Sequence, residues 1–341
     1  MRGMWTMRAA AVAALVLGMS GPALAGPTFD AVKARGAVIC GVNTGLVGFS
    51  MPDSAGVWTG LDVDLCKAIA AAMLGDATKT RYVPLTAQSR FTALQSGEID
   101  VLLRNSTITL SRDTALGLNY AGINFYDGQA FLVSSKVNVK ELKELDGATI
   151  CAAQGTTHEM TMADWFRSRN LKFTPVILEN QDVMYSVFFS GRCDVLTQDA
   201  SALAAVLVSK VGGGDYRILP DRISKEPLGP LLRHGDDQWF DLVKYVLMAM
   251  IEAEEDGVTQ ANVDEMLKSP RPDVQRLLGV SGGFGKMLGV DDRWAYNVIK
   301  QVGNYGESYD RNVGKGGPLK LDRGPNDLWT RGGLMYAIPF R

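Results

Sequence analysis

The sequence predicts an α/β protein of two lobes that share one topology. Three observations carry this. Ala37-Val38-Ile39-Cys40 recurs as Ala148-Thr149-Ile150-Cys151, and Ser96-Gly97-Glu98-Ile99-Asp100-Val101-Leu102 recurs in the same order as Ser190-Gly191-Arg192-Cys193-Asp194-Val195-Leu196. Each half reads as strand, helix, Ser-Gly turn and strand, the alternation that builds parallel sheets with crossover helices. The length of 341 residues suits about two domains.

The first residues form a processing signal rather than part of the fold. Arg2 and Arg8 give a basic start, Ala9 to Met19 is an unbroken run of apolar and small residues, and Gly21 and Pro22 end it. Ala23-Leu24-Ala25 offers small residues at the two positions a signal peptidase reads, so residues 1–25 are expected to be a signal peptide cleaved after Ala25. The run is shorter than the about 20 apolar residues a membrane span needs. Leu242 to Ile251 comes nearest elsewhere, and Lys244 interrupts it. No Cys follows the cleavage site, which argues against a lipid anchor. An exported, soluble protein is expected.

Val38 to Val42 is a short apolar strand. Asp62 to Met73 reads as a helix, with Asp62 as its cap and Val63, Cys66, Ile69, Ala70 and Met73 along one side. Phe91 to Leu94 is a short helix ended by Gly97, and Ile99 to Leu103 is the next strand. In the second half, strands are expected around Ile150 and over Val195 to Thr197, followed by a helix over Ala200 to Val208. Gln238 to Ala253 is the longest helix candidate, ended by an acidic cluster and Gly257.

Composition narrows the function. Hydrophobic residues make up 46% and charged residues 21%, which is globular. A balance of 35 basic and 37 acidic side chains excludes a strongly basic nucleic-acid binder. The four cysteines, Cys40, Cys66, Cys151 and Cys193, favour disulfides in an exported chain, and three pairings are open. The absence of CxxC argues against zinc or thioredoxin chemistry. Pairs Cys40–Cys66 and Cys151–Cys193 each stay within one half and leave the lobes free to move, so these are expected.

Catalytic motifs fail on inspection. Gly279-Val280-Ser281-Gly282-Gly283 matches GxSxG, but the preceding Asp273 to Leu278 looks helical and both histidines, His158 and His234, come earlier in the chain. Two distant histidines without HExxH argue against a metal site, and none is expected. Gly285-Lys286 lacks the rest of a P-loop, and no GxGxxG lies between a strand and a helix. No cofactor is expected.

What remains suits a small zwitterion. Asn105-Ser106-Thr107-Ile108-Thr109-Leu110-Ser111-Arg112 follows a strand, and a hydroxyl-rich loop ending in Arg can surround a carboxylate. Thr156 with Glu159 fits a capping box at a helix start, whose free N–H groups also favour a carboxylate. Asp199, at the end of a strand, can take an ammonium. Each of these segments also fits a plain structural role, as surface Arg or helix cap.

Taken in order, Gly60-Leu-Asp-Val-Asp-Leu65, Arg90-Phe-Thr-Ala-Leu-Gln-Ser-Gly97, Asn105 to Arg112, Gly155-Thr-Thr157 and Gln198-Asp199 resemble the bacterial extracellular solute-binding proteins of family 3, over nearly the whole chain after the leader. The tail segments Val302-Gly-Asn-Tyr-Gly-Glu307, Arg323-Gly-Pro-Asn-Asp-Leu-Trp329 and Gly332-Gly-Leu-Met-Tyr336 resemble the branch of general L-amino-acid receptors. The resemblance implies the bilobal type II periplasmic binding protein fold, with two mixed-sheet lobes joined by two crossover strands. These are expected near Phe131 to Ser135 and Glu226 to Leu231. Residues 26–132 plus 229–341 then make lobe 1 with a C-terminal extension, and residues 133–228 make lobe 2.

The resemblance also implies roles. Arg112 would clamp the ligand α-carboxylate, with Thr107 adding a bond and Asn105 a polar contact. Thr157 and its helix N-terminus would hold the same carboxylate from the other lobe, and Asp199 would take the α-ammonium. Arg90 and Gln181 would contact the ligand side chain. Leu46 and Ala87 stand where receptors for basic amino acids place aromatics, so Arg90 turns the preference toward Glu, Gln, Asp or Asn. Asn105 also replaces the small residue usual there. The implied protein is a non-enzymatic, periplasmic, monomeric receptor that delivers L-amino acids to the membrane subunits of an ABC importer. The alternatives are an amino-acid sensor or an arogenate or prephenate dehydratase, for which Glu179 or Asp182 would have to serve as general acid.

Overall fold

Two five-stranded sheets organise the chain in the computed structural model, which describes residues 28–136, 138–211 and 215–341. The expected leader lies outside the described residues. The first sheet runs in the order Thr80–Leu85, Val38–Asn43, Val101–Leu102, Leu231–Arg233, Leu118–Tyr120. The second runs Phe173–Leu178, Ala148–Ala153, Val195–Asp199, Gln129–Ser134, Tyr216–Ile218. In both, the first three strands are parallel, the fourth is antiparallel to them, and the fifth is antiparallel to the fourth and so runs with the first three. The two recurring segments supply matching strands, so the internal echo in the sequence is an echo in topology.

Each sheet takes its fourth strand from the chain as it crosses between lobes. Gln129–Ser134 enters the second sheet, and Leu231–Arg233 re-enters the first. Between the sheets, Phe125–Asp127 and Glu226–Leu228 pair as an antiparallel ribbon. This corrects the expected first crossover near Phe131 to Ser135 and the lobe boundary after residue 132. Phe131 pairs with Thr197, and Val133 with Val195 and Arg217. Phe131 and Val133 pack on one face of the sheet and Ala130 and Leu132 on the other. A strand buried on both faces and a crossover strand are both short apolar runs, and periodicity does not separate them.

The DVD segment also differs from expectation. The helix Leu61–Leu74 is capped by Gly60, whose φ of 133° only glycine adopts readily, and not by Asp62. Residue Gly60 also lies so close to Phe49 that a Cβ would meet its carbonyl oxygen at 2.1 Å. Both carboxylates of the segment turn inward. Asp62 accepts from the Asn105 amide at 3.0 Å and from Asn124 Nδ2 at 3.1 Å. Asp64 accepts from Ser308 Oγ at 2.8 Å, Arg311 Nη2 at 2.6 Å and Asn312 Nδ2 at 2.6 Å.

The second of these carboxylates anchors the C-terminal extension. The long helix Asp237–Glu255, capped by Asp236 at the Trp239 amide, carries the extension helices Trp294–Gln301 and Tyr305–Asn312 against Leu61–Leu74. Trp294, Tyr305, Tyr309 and Phe340 are buried in one core with Trp239, Ile69 and Cys40. The extension is therefore part of lobe 1. It also holds a crossover strand: Asn326 Oδ1 accepts the Tyr126 amide at 2.6 Å, and its Nδ2 donates to the Tyr126 carbonyl at 3.0 Å. No helix among the described residues is long and apolar enough to cross a membrane.

Both disulfides lie within a lobe, Cys40–Cys66 and Cys151–Cys193. They are not equivalent. The first ties the strand Val38–Asn43 to the helix Leu61–Leu74, and the second ties the strand Ala148–Ala153 to the turn before Val195–Asp199. Replacing Cys151 and Cys193 together by Ser should lower unfolding free energy by about 2–4 kcal/mol in a urea titration. Asp64→Ala leaves Arg311 without its carboxylate. It should destabilise the protein by roughly 1–3 kcal/mol, less than for a fully buried pair because the Arg311 side chain is 39% exposed, while leaving ligand affinity little changed.

Candidate functional site

The carboxyl ends of the parallel strands of both sheets face one another, the usual place for a ligand in an open α/β sheet. One pocket lies between them. Arg112, Thr107, Asn105 and Arg90 line it from the first lobe, and Asp199, Thr157 and Gln181 from the second. All seven residues singled out in the sequence are thus brought together. Ala87 lines the pocket too, so an aromatic is absent there.

The loop after Val101–Leu102 has an unusual backbone. Asn105 has φ of 33°, a left-handed conformation that Asn tolerates better than most residues. The Asp62 carboxylate fixes its amide, and Asn43 Nδ2 donates to its side chain at 3.1 Å. The loop is zipped to the second crossover strand, with Ile108 N–H donating to the Pro227 carbonyl at 2.8 Å and Gly229 N–H to the Ser106 carbonyl at 3.1 Å. Burial raises the Asp62 carboxyl to about 6 against the lowering effect of its amide partners.

Three guanidinium groups gather on this side. Arg90, Arg104 and Arg112 are all buried. Arg112 Nη1 donates to the Thr107 carbonyl at 2.9 Å. Arg104 Nε donates to the Leu85 carbonyl at 2.8 Å and its Nη2 reaches Gln181 Oε1 at 3.4 Å. Arg90 Nη2 reaches across to the Gly155 carbonyl at 3.4 Å, and its buried Nε has no hydrogen-bond partner. Phe91 lies under both Arg90 and Arg112, at 4.6 and 5.1 Å. Burial, then Arg112 and Arg104, pull Arg90 well below the usual arginine value, and burial brings Arg104 down to about 10. Such a cluster calls for an anion.

Carboxylates face it from the other side. Asp199 caps the helix Ala200–Val206 by position only, since its side chain makes no capping bond. Its Oδ1 meets His158 Nε2 at 2.9 Å. The expected capping box of Thr156 with Glu159 does not form either. Thr156 Oγ1 donates to the Ala153 carbonyl at 2.7 Å, which leaves the first N–H groups of Thr157–Arg167 to the pocket. Glu226, from the second crossover strand, accepts from Thr107 Oγ1 at 2.5 Å and Thr157 Oγ1 at 2.9 Å. The hydroxyl protons that the resemblance would give to a ligand carboxylate therefore go to Glu226.

Sequence reasoning missed Arg104, His158 and Glu226 as members of the site. Arg104 directly precedes the chosen loop and was legible by position. His158 and Glu226 carry no local signal, because only the folding of the second lobe onto the crossover brings them to Asp199. Donor atoms of His158, Asp199 and Glu226 lie within 4.8 Å of one another, a spacing that would suit a metal. The three neighbouring guanidinium groups oppose a divalent charge there, and a single ammonium is the better match.

Burial opposes the charged form of His158, but Asp199, by charge and hydrogen bond, and Glu226 outweigh it and hold the imidazole above its usual value. The stabilisation this pair supplies is complete below about pH 6.5 and is lost as pH rises through the raised folded value. The thermal midpoint should therefore fall as pH rises from about 6.5 through that raised value, and His158→Gln should flatten the fall, as read by scanning calorimetry.

Comparison with known proteins follows the same geometry. The family model for bacterial extracellular solute-binding proteins, family 3, matches residues 38–261, which span both sheets. The chain is 53% identical over 334 residues to the general L-amino acid-binding periplasmic protein AapJ of Rhizobium johnstonii, covering 97% of this chain and 98% of that one. It is 51% identical over 332 residues to the glutamate/glutamine/aspartate/asparagine-binding protein BztA of Rhodobacter capsulatus, covering 97% of both. Among solved structures, an ABC transporter periplasmic binding protein from Brucella ovis with glutathione bound superposes with a TM-score of 0.91 at 50% identity, over 93% of this chain and 100% of that one. With two sheets of one topology, a crossover ribbon between them and a charged pocket at their facing ends, this chain belongs to the bacterial extracellular solute-binding proteins, family 3.

Proposed function

We propose that this protein is a periplasmic receptor for L-amino acids, centred on Glu, Gln, Asp and Asn, which closes its lobes on the ligand and delivers it to an ABC importer. The observation that carries this is the separation of charge across one interlobe pocket. Buried guanidinium groups stand on the first lobe and Asp199 on the second. A zwitterion matches both sides at once and reaches them only when the lobes are together. Burying either of its charges unpaired would cost several kcal/mol.

In this scheme Arg112 and the N–H groups opening Thr157–Arg167 hold the α-carboxylate. Asp199, with His158 behind it, holds the α-ammonium. Arg90, Arg104 and Gln181 meet the ligand side chain, where the two guanidinium groups favour an acidic or amide group. The names of the Rhizobium and Rhodobacter relatives support an amino-acid ligand and this range. The dehydratase alternative finds no support from its nominated acids, since Glu179 and Asp182 are exposed and do not line the pocket.

Thermal unfolding against the twenty L-amino acids tests the assignment. A true ligand at about 100 times its Kd should add about 2.7 kcal/mol of stability. No shift with any amino acid would end the proposal. By calorimetric titration, Arg112→Ala and Asp199→Ala should each lose roughly 2–5 kcal/mol of binding, the range for removing one partner of a buried charged pair. Arg90→Gln should lower affinity for Glu more than for Gln.

A further inference from the structure

Glu226 is a buried carboxylate with no counterpart among the residues that contact a ligand in the scheme above. It sits on the crossover strand Glu226–Leu228. It accepts hydroxyl protons from Thr107 of the first lobe, at 2.5 Å, from Thr157 of the second, at 2.9 Å, and from Ser224 beside it, at 2.5 Å. Both threonines line the pocket, and Glu226 itself lies behind them. A threonine hydroxyl has one proton to give and two lone pairs to offer. A carboxylate can only accept. With their protons committed to Glu226, Thr107 and Thr157 turn toward the pocket as acceptors.

We propose that Glu226 sets the hydrogen-bond polarity of the site, so that the ligand must bring a donor to the Thr107 and Thr157 hydroxyls as well as to Asp199. This deepens the amino-acid receptor assignment and rests on it. A ligand with an ammonium satisfies the acceptors. A dicarboxylate without one leaves them facing carbon or repels them, and buried polar groups left unpaired are what make a binding site reject an analogue strongly. Glu226 is thus a positioning residue, acting through the two threonines. The same contact joins both lobes to the crossover, so the polarity is imposed in the closed arrangement.

The test compares L-glutamate with glutarate, its analogue lacking the amino group, in wild-type protein and in Glu226→Gln. Inhibition constants come from displacement of isotope-labelled L-glutamate. A glutamine can donate to the threonine oxygens and release their protons to the pocket. The preference for L-glutamate over glutarate should then narrow by about tenfold or more, the scale of one hydrogen bond of correct polarity. Equal loss for both ligands, or no change for either, would overturn the proposal. Failure of the wild-type protein to bind L-glutamate at all would instead overturn the receptor assignment. A crystal structure of the wild-type complex decides independently of how the variant behaves. A ligand nitrogen within hydrogen-bond distance of Thr107 Oγ1, with the Thr107–Glu226 bond kept, supports the proposal. A ligand carboxylate on that oxygen overturns it.

Discussion

A buried surplus of positive charge is the constraint around which the cleft is arranged. Arg90, Arg104 and Arg112 are all removed from water on one side of the pocket, and among the described residues none of the three forms an ion pair. Their N–H groups go to carbonyl oxygens of Leu85, Thr107, Gly155 and Gln181 instead. Neutral acceptors orient a guanidinium without cancelling its charge, so the attraction for an anion is preserved. Carboxylates near enough to neutralise them are each committed elsewhere: Asp62 to the Asn105 amide, Asp199 to His158 and Glu226 to hydroxyls.

Holding such an arrangement requires a stiff frame, and the polar segment Gly60 to Leu65 links its parts. Two carboxylates, one residue apart, leave the same helix in different directions. Asp62 fixes the left-handed Asn105 and so the loop that carries Thr107 and Arg112. Asp64 fixes the C-terminal extension through Arg311, Ser308 and Asn312. The extension in turn pairs Asn326 with both backbone groups of Tyr126 on a crossover strand, and Tyr305 donates to the neighbouring Asn124 carbonyl at 2.9 Å. Site loop, tail and one crossover strand are thus joined through buried and half-buried hydrogen bonds to a single helix. Burial of the donors and acceptors makes each bond costly to lose.

Lobe movement is reconciled with this stiffness by where the covalent and polar ties run. Both disulfides stay inside a lobe, and the tail grips the crossover from the first lobe only. Beside the apolar contact of Ala202 and Ala205 with the first lobe's core, polar ties run between the lobes: Arg90 to Gly155, Arg104 to Gln181, and the two threonines on Glu226. Contacts of that kind exchange readily with water when the lobes part, unlike an apolar interface.

Much was legible in the sequence because it depended on local pattern. The paired segments around Cys40 and Cys151 predicted two lobes of one topology, since a strand, a crossover helix and a Ser-Gly turn each leave a short-range signature. The seven residues chosen for the site stand at strand ends and helix starts, the positions an α/β fold presents to its cleft. What the sequence could not decide was which partner each polar side chain would take. Asp62 and Asp199 look like helix caps because capping is a local event, yet their carboxylates go to residues 43 and 41 positions away. His158 and Glu226 join the site only through the closing of one lobe on the crossover. The strand Gln129–Ser134 reads as a linker or a core strand with equal ease until its neighbours on both sides are known. Backbone conformation is set by nearby residues and so can be read from them; the fate of a buried hydrogen bond is set by whatever the tertiary fold brings within 3 Å.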